Sequence, residues 1–250
     1  MNKLMTITRF HLEPKLRSTL IFTAILYALT VGLTAMTRNW GAFDGTVLML
    51  YVNFGLFMGM LGSRRLTYVA LQNGVNRQHM GIAALTTFTT LALVSTVCMA
   101  GWRFLARQLG EPAQLFISLM GYQGELNGSV LIANFIIEAL LVLVAMIAAY
   151  WVGLVRELWR NGRIAMLVGV VILLVGVQPI IHFLQQRLFT NFSLSVLMQR
   201  LVNGNWQRVQ SGAQATPWLL VGVGVIVVAV MVGVTLLIGR SIEARSEVAN

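Results

Sequence analysis

Few residues in this sequence could do chemistry, and two groups stand out. The first is a lone acid, Glu138, nine residues into the apolar run 129–155. At ~1.5 Å per helical residue it lies roughly half-way across a bilayer core. A lone carboxylate there is costly, so it must face other helices or a wet cavity, or stay protonated. Two readings follow: a substrate or proton contact, or an acid hydrogen-bonded to a neighbouring helix. The second group is the polar stretch 64–81, RRLTYVALQNGVNRQHMG, between two apolar runs. Arg64 and Arg65 open it and Arg77 and His79 close it. Leu66, Val69 and Ala70 fall at i, i+3, i+4, the spacing of one helix face. Asn73-Gly74 is turn chemistry, since both residues tolerate positive φ. The stretch reads as a short surface helix ended by a turn, able to anchor to anionic lipid or dock a partner. The alternative is a basic loop that only fixes topology.

Other chemistry is missing. The only lysines are Lys3 and Lys15, and there is no G-x-x-x-x-G-K-[ST], so the chain has no phosphate-binding P-loop of its own. His11, His79 and His182 lie far apart, no HExxH occurs, and no metal site is expected. Cys98 is the single cysteine, which excludes an internal disulfide. No nucleophile–base pair stands out, and the chain is not expected to be an enzyme.

The elements that must position these residues follow from hydropathy. The 250 residues are 57% hydrophobic and 10% charged, against about 25% charged in soluble chains, which places the chain in a membrane as a single domain. The net charge of +10 sits beside apolar spans, so lipid headgroups rather than nucleic acid are the expected counter-charge. Six spans are predicted, at 18–37, 45–62, 82–102, 129–155, 164–184 and 218–239. The first is too long for a cleaved signal and reads as a retained signal-anchor helix. Residues 1–17 read either as an interfacial helix that Pro14 breaks before the first span, or as a basic tail. The second span contains a GxxxG, Gly55 to Gly59, a spacing that lets helix backbones approach closely. Residues 103–128 read as a polar loop. Residues 185–216 carry two apolar rows at helical spacing and read as an external helical segment. Twelve Lys and Arg fall on the N-terminal side of this arrangement and six on the other, so both termini are expected in the cytoplasm.

This layout, together with Leu71-Gln-Asn-Gly-Val-Asn-Arg-Gln78, resembles the permease subunits of ABC-2 type ABC transporters, whose bacterial members often end their coupling helix in N-G-x-x-R. The resemblance implies an all-α, six-span fold with an N-terminal elbow helix over 1–17, a coupling helix within 64–81 and external helices over 185–216. It implies that Arg64, Arg65, Leu66, Val69, Ala70, Asn73, Gly74 and Arg77 couple to a separate cytoplasmic ATPase subunit that carries ATP and Mg. It further implies a second permease copy or paralogue, a bacterial cell membrane and, usually, export. A different class remains beside it: a secondary transporter or channel with Glu138 as the ion or proton site. That class should show paired helix breaks in two similar halves, whereas only Gln178-Pro179 offers one. A lipid-modifying membrane enzyme has no motif to support it.

Overall fold

A computed structural model describes residues 3–37, 47–48, 50–60, 77–108, 115–119, 127–158 and 217–248. The described residues are helical apart from Leu115 and Asn127. We label the helices α1 (Lys3–Thr37), α2 (Leu50–Met60), α3 (Arg77–Gln108), α4 (Phe116–Leu119), α5 (Gly128–Leu158) and α6 (Pro217–Val248). Four of them, α1, α3, α5 and α6, are long and apolar enough to cross a membrane. The chain is thus an all-α membrane protein in its described residues. The predicted fifth span and the external segment 185–216 lie outside them, as do residues 61–76. Of the predicted second span, the described helix Leu50–Met60 covers eleven residues.

The helices are apolar outward and partly polar inward, as lipid requires. On α1, His11, Lys15, Thr19, Thr23, Leu26 and Thr30 are buried, a stripe at spacings of three and four. Leu20, Ile21, Ile25 and Leu29 face out. The buried hydroxyls are satisfied within the helix: Thr19 donates to the Lys15 carbonyl, Thr23 to Thr19 and Thr30 to Leu26. On α3, Thr87 and Thr96 repeat the arrangement. Such bonds leave the backbone ladder intact while removing the cost of a bare hydroxyl among side chains.

The helix bounds correct several sequence expectations. α1 runs unbroken through Pro14, so residues 3–17 are the first turns of the same helix and not a separate elbow. Proline removes one backbone bond and crowds the preceding turn. Here the turns on both sides are held, since His11 and Lys15 are buried in the bundle and Ser18 donates to the Pro14 carbonyl at 3.0 Å. α3 starts at Arg77 and runs to Gln108, so Arg77–Gly81 and Arg103–Gln108 are helix and not loop. Within the predicted loop 103–128, Leu115, Phe116 and Ile117 are buried. α6 runs to Val248, past the predicted end of the sixth span at 239.

Side-chain pairs fix the direction of each helix. Tyr27 meets Trp102 with ring centroids 5.4 Å apart, and Lys15 Nζ lies 4.9 Å from the Phe88 centroid, so α1 and α3 run parallel. Thr23 bonds the Tyr51 hydroxyl at 2.8 Å and Lys15 Nζ donates to the Met58 carbonyl at 3.1 Å, so α2 runs opposite to α1. Phe88 meets Tyr150 at 5.6 Å while Arg103 meets Glu138, so α5 runs opposite to α3. Trp218 Nε1 donates to Ser129 Oγ at 2.9 Å, and Trp151 Nε1 to Thr235 Oγ1 at 2.7 Å, so α5 and α6 run parallel. α3 is central, in contact with α1, α5 and α6.

The GxxxG is used inside the chain. Gly55 lies against Val142 and Met146 of α5. A Cβ at Gly59 would stand 2.8 Å from the Ala149 Cβ and closer still to the Met146 carbonyl oxygen. The absence of a side chain at Gly59 is what lets α2 and α5 touch backbone to backbone.

Candidate functional site: an ion pair at the edge of a groove

α5 begins with Asn127, whose side-chain oxygen accepts from the Val130 N–H at 3.0 Å, a helix N-cap. From that fixed start, Leu131, Asn134 and Glu138 fall on one face, at i, i+3 and i+7. On α3, Ala100, Arg103, Phe104 and Arg107 form a matching face. The two faces meet. Arg103 donates through both terminal nitrogens to the two Glu138 oxygens, Nη1 to Oε2 at 2.8 Å and Nη2 to Oε1. Glu138 is fully buried, and 12% of the Arg103 side chain is exposed. Two parallel charge-assisted bonds fix both planes at once. Asn134 Nδ2 donates to Glu138 Oε1 at 2.9 Å, and Asn134 Oδ1 accepts the Ile117 N–H at 3.1 Å. The chain Arg103–Glu138–Asn134–Ile117 therefore ties α3, α5 and α4 together by polar bonds.

Of the two sequence readings of Glu138, the geometry supplies the bonded neighbour. The partner comes from a residue assigned to a loop. The ion pair borders a groove of about 380 Å³ between α3 and α5, lined mainly by apolar side chains. Its volume falls within the range of ligand pockets.

Of the coupling residues, Arg64, Arg65, Leu66, Val69, Ala70, Asn73 and Gly74 lie outside the described residues. Arg77 is the first residue of α3. Sequence reasoning missed Arg103, Asn134 and the buried Lys15. One signal could have found the pair: a buried acid needs a cation, and Arg103 and Arg107 end the apolar run that precedes the acid's own span. Among the described residues, no cluster of three or more His, Cys, Asp or Glu could hold a metal ion. The chain matches no family model, and no curated protein or solved structure resembles it significantly.

Proposed function

We propose that this chain is the membrane-spanning subunit of an ATP-driven transporter of the ABC-2 type, with six spans and both termini in the cytoplasm. It works as a dimer with a second permease copy or paralogue in a bacterial cell membrane. A separate cytoplasmic subunit binds ATP and Mg, and the 64–81 loop docks on it. Closure of two such ATPases moves the loops and switches a pathway between the permeases from inward to outward access, in the sense of export. The observation that supports the six-span layout of this reading is the pattern of helix directions. Alternating spans require α1 and α3 to run one way and α2 the other. With one further span between α5 and α6, those two must run parallel, as they do. The helices on either side of the loop in sequence, α2 and α3, are linked to each other through α1. Met58, in the last described turn of α2, is bonded to Lys15 of α1. Lys15 in turn lies over Phe88 of α3, the helix that the loop enters.

A secondary transporter driven by Glu138 is less well supported. A coupling carboxylate must release its partner to exchange an ion, and Glu138 is held by two bonds from Arg103 and one from Asn134.

Paired substitutions in the loop test the proposal. Leu66, Val69 and Ala70 would act by packing in a groove of the partner, Asn73-Gly74 by backbone shape, and the arginines by salt-screened attraction. Gly74→Val should leave the protein in the membrane, abolish the response of ATP hydrolysis to substrate and lower transport. Arg64→Gln/Arg65→Gln should be milder and worsen with salt. If only the arginine pair has an effect, and that effect is misinsertion, the loop serves topology alone.

A further inference from the structure

The groove beside the ion pair has a chemistry of its own. Its walls are apolar: Phe104 from α3, and Leu131, Ile132 and Phe135 from α5. Phe104 is 66% and Ile132 57% exposed, so the groove opens on the flank that faces lipid. Its cations are Arg103 and Arg107, one helical turn apart on α3. They are not equivalent. Arg103 is spent on Glu138. Arg107 lies in the last turn of α3, is exposed, and has no ion-pair partner among the described residues. The acid in the groove cannot neutralise it, because both Glu138 oxygens already accept from Arg103. Among the described residues, the groove thus presents one positive charge at its mouth that no acid offsets. Apolar wall extends inward over roughly 10 Å, from Arg107 to Ala100 along the helix axis.

Arg107 also stands near the end of the apolar stretch of α3, which among the described residues closes at Gln108. A long arginine side chain near the end of a span extends its guanidinium toward the headgroups. A ligand that matches this arrangement has an anionic head at the membrane surface and an alkyl chain in the bilayer. A small soluble anion would leave the apolar walls uncovered, and an uncharged alkane would leave Arg107 unmatched.

We propose that the groove between α3 and α5 holds one acyl chain of an anionic lipid, with the lipid's phosphate on Arg107. The site belongs to this chain alone and does not depend on an ATPase partner. Bound lipid covers Phe104 and Ile132 and lies against the Arg103–Glu138 pair, which forms the polar floor beneath it.

Native mass spectrometry of the detergent-purified full chain tests the site. Phosphatidylglycerol and phosphatidylcholine of identical chains are titrated separately, with inorganic phosphate and glycerol phosphate as soluble competitors. One phosphatidylglycerol should bind with a preference of roughly five-fold over phosphatidylcholine, the size of one cation's attraction at a membrane surface. Arg107→Gln should remove the preference. Ile132→Trp, which fills the groove from its exposed side, should weaken both lipids. Millimolar phosphate or glycerol phosphate should displace neither. Both substituted residues are exposed, so neither change disturbs the core. Equal binding of the two lipids, a preference that survives Arg107→Gln, binding that survives Ile132→Trp, or displacement by the soluble anions would each overturn the proposal. The last outcome would make the site one for free phosphate.

Discussion

Arg103 and Glu138 belong to each other more than to solvent, and this has a measurable consequence. Removing one partner of a buried pair leaves an uncompensated charge and costs about 3–5 kcal/mol, whereas removing both costs much less. Arg103→Gln and Glu138→Gln should each lower the thermal midpoint of the purified protein, and the double variant should recover most of the loss. Additive losses would show that the two residues act separately. Glu138→Lys should fail to insert, since it sets two cations against each other in a space that holds one ion pair. The acid was legible in the sequence because nothing else charged interrupts its apolar run. Its partner was not. Reading hydropathy alone ends a span at the first cations, so Arg103 fell into a loop. In the folded chain the helix continues for two turns because Glu138 meets that charge. Lys15 escaped for the same reason: it reads as an interfacial cation, yet Phe88 and the Met58 carbonyl enclose it. Pairing across helices is not a local property, and local windows miss it.

Among the elements, α2 approaches α5 most closely at Gly59. Gly59→Val would drive methyl groups into the Met146 carbonyl and the Ala149 methyl of α5, and overpacking of this kind costs about 1–3 kcal/mol. Gly32 of α1 has nothing near it, so Gly32→Ala should be neutral or stabilise by up to about 1 kcal/mol through helix propensity. Thermal unfolding of the two variants side by side checks this. A silent Gly59→Val would mean that α2 does not lie against α5. The sequence marked Gly55 and Gly59 as a close-approach motif, and that much was readable. The surface they approach was not, because a GxxxG carries no record of its partner, and a second copy of the chain would have fitted equally well. Pro14 teaches the converse. Its chemistry opposes a helix, but α1 is held on both sides of it by buried side chains, and tertiary packing overrides the local preference. The C-terminal end of α3 moved outward for the related reason that Arg103 finds its partner on α5.

For the whole molecule, the claim with most reach is directional. With Cys98 replaced by Ala, single cysteines at Asn127 and Trp218 should react with an impermeant reagent from the same side of the membrane, and one at His79 from the other. The first two mark the starts of α5 and α6, and all three positions are exposed. With the N-terminus in the cytoplasm, Asn127 and Trp218 face out. Opposite labelling of those two would break the parallel arrangement and with it the six-span reading. The all-helical, membrane-crossing character was readable from apolar length, a sum over many residues; the six-span count and the orientation are what the labelling tests. The mechanism rests on a short loop and its resemblance to a coupling helix, which only a partner can test. The most direct measurement is therefore mild-detergent purification of the tagged chain from its native membrane, with mass spectrometry of what comes with it. The account predicts an ATPase subunit bearing a P-loop, in stoichiometric amount. A chain that purifies alone, and that transports in proteoliposomes under an ion gradient without ATP, would contradict it.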